Sequence, residues 1–295
     1  MTLPPERPGH TAPADLIDRR AGLAAAVAAG LWHSDPPPEA VEIDGVRCLR
    51  FSPSCEPRGT VLHIHGGAFR LGCPEMIAPF GAAFAVKCGV SVVCPSYRLA
   101  PEHPFPAGLR DAQRVMMALG TGGLIVSGDS AGGGIAAGLA ALVPKDAPPL
   151  AGLALLSPWV DLTVSAPSFI ANAAHDPLFS GEAAREAAML YLQGLSPHNG
   201  QASPLLGPVD RFPPTLINVG AGEVLLDDAR ALFERLSAAG VVARLDVVEG
   251  MTHVAVTRDL ALPGAAEAFN LLAAFIDERL NRNLDDRRTS ALPIP

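Results

Sequence analysis

Ser130 stands within Gly128-Asp129-Ser130-Ala131-Gly132, and His65-Gly66-Gly67 lies upstream of it. A G-x-S-x-G segment describes a sharp strand-to-helix turn that holds the serine hydroxyl out at the end of a sheet. Small residues two before and two after the serine let the chain bend that tightly without collision. A serine hydroxyl is a weak nucleophile by itself. It needs a base, a group that orients the base, and N–H donors for the oxyanion that forms on attack. The backbone N–H groups of Gly66, Gly67 and Ala131 are the expected oxyanion donors, each typically worth roughly a hundredfold or more in rate. A glycine-rich helix cap without chemistry is the alternative. Gly132-Gly133-Gly134 at a helix start argues against it, because glycine weakens a helix unless something must approach closely.

The base should be a histidine on a loop beyond a later strand, and His253 fits, following Glu249-Gly250-Met251-Thr252. His10, His33, His103, His175 and His198 fall in Pro-rich or irregular segments, and His65 begins the oxyanion loop. Three carboxylates compete to orient the base: Glu223, Asp227 and Asp228. The aspartates precede a helix, where capping and the helix dipole account for them. Glu223 sits on the loop itself, where the active face should be, and is favoured. The order Ser130, Glu223, His253 is then that of α/β-hydrolases.

These side chains need elements to carry them. Short β-branched runs at 41–43, 46–51, 60–64, 90–94, 124–127, 153–156, 215–219 and 244–248 read as strands. Asp44-Gly45 between the first two signals a hairpin. Helical patterns fill 15–31, 75–87, 108–119, 131–142, 181–193, 227–239 and 265–280. Strand–helix alternation with continuous apolar strands predicts an α/β class with a mostly parallel, eight-stranded sheet covered on both faces. The rhythm breaks between Trp159 and Pro214, where no strand is legible. An insertion of that length inside a compact domain is usually functional, often a lid. Beyond Asn281 no fold signal is legible.

The chain of 295 residues is 49% hydrophobic and 18% charged, with a net charge of −8. That describes a globular protein with a large core, and it argues against nucleic acid and anionic membranes as partners. No stretch reaches the length of a membrane span. The five cysteines form no C-x-x-C pair and read as free thiols in a reducing, cytoplasmic setting. His63-Ile64-His65 places two imidazoles on one strand, but no cysteine or carboxylate cluster accompanies them. No metal is expected, and His63 reads as structural.

Taken together, His65-Gly66-Gly67-Ala68-Phe69, Tyr97-Arg98-Leu99-Ala100-Pro101-Glu102 and Gly128-Asp129-Ser130-Ala131-Gly132-Gly133 resemble the bacterial hormone-sensitive-lipase-like (family IV) esterases. Ser157-Pro158-Trp159-Val160-Asp161-Leu162 and Gly250-Met251-Thr252-His253 continue the resemblance, which runs from about residue 40 to 280. It implies an α/β-hydrolase fold with a helical cap, with a core at 41–158 and 211–283. The cap would come from residues 1–40 and 159–210, and 284–295 would form a tail. It also implies hydrolysis of short- to medium-chain carboxylic esters without a cofactor, and it admits a homodimer. Two positions depart from the pattern: Ala68 replaces a third glycine, and Glu223 stands where an aspartate is common. Phe69, Trp159, Leu178 and Phe179 are candidate apolar walls of the substrate pocket, or equally ordinary core. A lactonase or an amidase would use the same machinery. A binding-only receptor on this fold would have lost the histidine that is retained here.

Overall fold

In the computed structural model of the chain, residues 2–290 are described in backbone and residues 2–281 in side chain as well. The strands are β1 (Glu39–Ile43), β2 (Val46–Phe51), β3 (Thr60–Ile64), β4 (Ser91–Pro95), β5 (Ile125–Asp129), β6 (Gly152–Leu156), β7 (Thr215–Gly220) and β8 (Ala243–Val248). The helices are α1 (Ala14–Ala28), α2 (Ala78–Cys88), α3 (Ala107–Leu119), α4 (Ala131–Leu142), α5 (Ser168–Ala171), α6 (Gly181–Leu192), α7 (Leu226–Ala238), α8 (Ala255–Arg258) and α9 (Ala265–Ser290).

The strands form one sheet in the order β1-β2-β4-β3-β5-β6-β7-β8. The β1–β2 and β2–β4 pairs are antiparallel, and every pair from β4 to β8 is parallel. Strands β4 to β7 are buried along their whole length, which is why their sequences run apolar instead of alternating. The alternation is still there, expressed as two cores. Leu153, Leu155, Ile217 and Val219 face the core under α3, α4 and α7. Ala154, Leu156 and Leu216 face the core under α2 and α9. Burying each such leucine contributes about 2 kcal/mol. β8 lies at the sheet edge and is buried only at Val248.

Several elements differ from the sequence expectation. The helix expected over 75–87 starts as a 3-10 turn, Pro74–Ile77, before α2. Pro79 has no N–H to donate, and its ring would collide with the carbonyl four residues back. Within the insertion, α5 and a second 3-10 turn at Pro204–Leu206 join the expected α6, and no strand forms among the described residues. α9 runs on to Ser290, beyond the expected end at 280. The polar segment 281–290 carries no apolar periodicity from which a helix could be read. Residues 291–295 of the expected tail lie outside the described residues.

Every parallel strand points the same way, so the loops after β3, β5, β7 and β8 gather along one edge of the sheet. That edge carries His65, Ser130, Glu223 and His253.

Candidate active site

Ser130 occupies the single residue between β5 and α4, with φ 52° and ψ −122°. A non-glycine residue held at positive φ costs about 1–3 kcal/mol and persists only where its surroundings over-determine it. They do so here. The Ser130 N–H donates to Leu156 O at 2.9 Å, and its carbonyl accepts from Trp159 N–H at 3.0 Å and Gly134 N–H at 3.2 Å. At Gly132 a Cβ would stand 2.1 Å from Ile64 O and 2.5 Å from His65 O. Only glycine lets the start of α4 press against the end of β3, so the elbow and the His65 loop are one packed unit.

The Ser130 hydroxyl lies 3.0 Å from His253 Nε2, and His253 Nδ1 lies 2.8 Å from Glu223 Oε2. A carboxylate accepts only, so Nδ1 carries the proton and Nε2 is free to accept from the serine. Glu223 Oε1 accepts from the Ser157 hydroxyl at 2.8 Å and from the Gly220 N–H at 2.6 Å. With both oxygens engaged, the carboxylate has one orientation. Burial works against charging His253, but the hydrogen bond and charge of Glu223 outweigh it, with Asp176 and Asp129 adding to the effect. The imidazole is left more basic than usual.

The competing carboxylates do other things. Asp227 pairs with Arg230 at 3.1 Å on the surface. Asp228 is buried and accepts from the Val160 and Asp161 N–H groups at 3.3 and 3.1 Å. Its burial, reinforced by Asp161, pushes its carboxyl up to about 8.

The oxyanion loop departs from expectation at one residue. The Gly66 N–H donates to Asp129 Oδ1 at 3.0 Å, so it is already engaged. Asp129 Oδ1 also lies 3.1 Å from His63 Nε2, whose Nδ1 is 3.2 Å from the Ser127 hydroxyl. His63 is thus a structural residue beneath the loop. Among the described residues, nothing accepts from the N–H groups of Gly67, Ala68 and Ala131. Ala68 and Phe69 both have positive φ, at 53° and 62°, a backbone curl that follows Gly67. The sequence reading did not count the Ala68 N–H among the candidate donors, because it counted the two glycines of the loop and treated Ala68 as a replaced third glycine.

A cavity of ≈920 Å³ opens over Ser130 and His253. Leu178 and Phe179 line it, but Phe69 and Trp159 do not. Offered as pocket walls or core, those two are core: Phe69 stacks on Tyr191 at 4.0 Å, and Trp159 packs edge-on against Phe179 at 5.2 Å. Phe179 in turn stacks on His253 at 5.6 Å, with ring planes 11° apart. Phe69 and Trp159 therefore act behind the wall, as the backing for the ring that flanks the histidine. The sequence reading did not find Leu31 and Trp32, just past α1, or Val256 and Leu260 near α8, which also line the cavity. Ser157 was also missed as a brace for Glu223, although its Ser-Pro-Trp segment was noticed.

All five cysteines are free. Among the described residues, no three His, Cys, Asp or Glu side chains group to hold a metal ion. No helix among the described residues is long and apolar enough to cross a membrane.

A family pattern described as the alpha/beta hydrolase fold matches residues 61–257. An acetyl-hydrolase of Streptomyces hygroscopicus is 34% identical over 247 residues, 82% of this chain and 83% of that protein. A solved hormone-sensitive lipase from a metagenome library superposes with a TM-score of 0.85 at 30% identity, covering 92% of this chain and 93% of that one. An esterase from the bacterial hormone-sensitive lipase family superposes with a TM-score of 0.79 at 32% identity, covering 92% of this chain and 100% of that one.

Proposed function

Since the chain belongs to the hormone-sensitive-lipase-like (family IV) carboxylesterases of the α/β-hydrolase superfamily and is a carboxylic-ester hydrolase, we propose that Ser130, His253 and Glu223 carry the reaction. The substrates are short- to medium-chain esters. The observation that supports this reading best is the unbroken path from Ser130 Oγ through His253 to Glu223, at 3.0 and 2.8 Å, at the cavity that admits substrate.

His253 Nε2 takes the Ser130 proton as Oγ attacks the ester carbonyl. Glu223 stabilises the imidazolium that results. The N–H groups of Gly67, Ala68 and Ala131 receive the oxyanion; Gly66 serves instead to fasten the loop to Asp129. The tetrahedral intermediate collapses as His253 returns the proton to the departing alcohol. Water then enters, loses its proton to His253, and releases the acid from Ser130 by the same route. The N-terminal segment 1–40 and the insertion 159–210 act together as the cap, since Leu31, Trp32, Leu178 and Phe179 all face the cavity. Their apolar side chains favour an acyl chain over a polar one.

The test is a rate series on p-nitrophenyl esters of rising chain length, run beside lactones, for wild type and Ser130→Ala. Turnover in wild type should peak among the shorter acyl chains and fall by about a millionfold in the variant. A fluorophosphonate should label Ser130 stoichiometrically. Retained turnover in Ser130→Ala would refute the nucleophile, and a preference for lactones over every linear ester would overturn the substrate class.

A further inference from the structure

The cavity over Ser130 carries charge that ester cleavage does not require. Arg19, on α1, and Arg258, the last residue of α8, both line it. Most other guanidinium groups among the described side chains are engaged. Among the residues whose side chains are described, every arginine but Arg19, Arg185 and Arg258 reaches a carboxylate or a backbone carbonyl. Arg19 and Arg258 thus line one cavity with no carboxylate or carbonyl partner among the described residues, and both are exposed.

Their positions are set by the fold. Leu16 is buried, and the neighbouring Arg20 binds α1 to the body through Arg70 O at 2.9 Å, Ala100 O at 2.6 Å and Glu102 at 2.7 Å. α8 is wedged in by Ala255, Val256 and Thr257, all buried. The other charged groups that line the cavity offset the two arginines only in part. Arg70 is paired with Glu186 at 3.0 Å. Asp129 is held by His63 and the Gly66 N–H. Asp259, exposed like Arg258, accepts from the Ala261 N–H at 2.9 Å and keeps its charge, so the exposed lining carries two arginines against one carboxylate. A chain of net charge −8 would repel an anion, so two exposed arginines on this cavity oppose the sign of the molecule as a whole.

Resting on the esterase reading, we infer that the preferred substrate is an ester carrying a second, anionic group remote from the scissile carbonyl, a carboxylate or a phosphate. Arg19 and Arg258 hold that group at the mouth. The planar guanidinium fork matches both oxyanions. The apolar part of the molecule lies against Leu178 and Phe179. Because both arginines are exposed, their effect is screened by salt.

The experiment compares three esters with one leaving group: neutral p-nitrophenyl butyrate, mono-p-nitrophenyl glutarate, and p-nitrophenyl 4-phosphonobutyrate. Each is run against wild type, Arg19→Gln, Arg258→Gln and the double variant, at low salt and at about 0.5 M NaCl. Each single substitution should raise KM for an anionic ester by about tenfold with kcat little changed, the loss of a charge-assisted contact. Butyrate should stay within about twofold throughout. Salt should raise the wild-type KM for the anionic ester and leave the double variant unmoved. A loss confined to the glutarate assigns a carboxylate, and one confined to the phosphonate assigns a phosphate. If KM for neutral and anionic esters moves together, or neither moves, the inference is wrong while butyrate turnover leaves the esterase reading standing. If wild type hydrolyses none of the three, the esterase reading itself has failed.

Discussion

His253 holds one ring nitrogen against Ser130 and gives the other to Glu223, and in the proposed mechanism its protonation sets when the enzyme can work. In that mechanism attack requires the neutral imidazole, and Glu223 makes the imidazolium harder to deprotonate than a free one. The rate should therefore fall as pH drops through a value above the ordinary 6.5. Glu223→Gln removes the charge that lifts His253 and leaves burial, which lowers it. The acid limb of kcat/KM should move to lower pH, while kcat falls by about a thousandfold or more because the proton no longer stays on Nδ1. A pH–rate profile of the two proteins checks both parts; an unmoved acid limb would show that Glu223 does not set the basicity of His253. Ser157 belongs at this scale too. Its hydroxyl joins Glu223 to the Val254 N–H, at 2.8 and 3.3 Å, and so links Glu223 to the loop that carries His253.

Between β5 and α4 the chain reverses around Ser130, and the reversal works only because α4 begins against the end of β3. Gly132→Ala places a methyl 2.1 Å from Ile64 O, a backbone atom that cannot swing aside. The change should destabilise the fold by about 1–3 kcal/mol and displace the oxyanion loop, with loss of turnover beyond the loss of folded protein. Gly22→Ala on α1 is the matched control. Apart from its chain neighbours and the backbone of its own helix, no atom lies within 4 Å of its added methyl, and alanine in a helix interior is favoured over glycine by about 0.5–1 kcal/mol. Thermal melts and ester turnover of the two variants should move in opposite directions in stability. Equal behaviour would mean that close packing at the elbow does not matter.

The catalytic edge belongs to the sheet, but the cavity belongs to the whole chain, since α1, the insertion and α8 close it from different parts of the sequence. The N-terminal segment is strapped down by ion pairs. Glu6 meets Arg98 at 2.7 Å and Arg110 at 3.3 Å, and Arg20 anchors α1. Arg20→Ala should weaken that docking by about 1–3 kcal/mol. Leu31 and Trp32 then lose their place at the wall, so KM for short esters should rise more than kcat falls. Steady-state kinetics would check it, and a fall in kcat with KM unchanged would show that α1 does not shape the cavity.

Much of this was legible before any coordinates, for identifiable reasons. Strands β3 to β7 carry apolar runs because they are buried on both faces, and Ser130, His253 and Glu223 occupy the loops that a parallel sheet must bring to one edge. Local chemistry at Gly128–Gly132 dictated the elbow, since few residues other than glycine fit it. Other features had no local signal. That Gly66 spends its N–H on Asp129, while Ala68 keeps its own free, depends on a contact across 63 positions of sequence. That Phe69 and Trp159 stand behind Phe179 instead of in the cavity depends on how α6 packs over the sheet, because an aromatic side chain reads the same in a wall or in a core. The meeting of Arg19 and Arg258 at one cavity is of the same kind. Periodicity and turn chemistry act between neighbours in sequence and so determine elements and motifs; cavities and charge fields arise between distant segments and are decided only when the chain closes on itself.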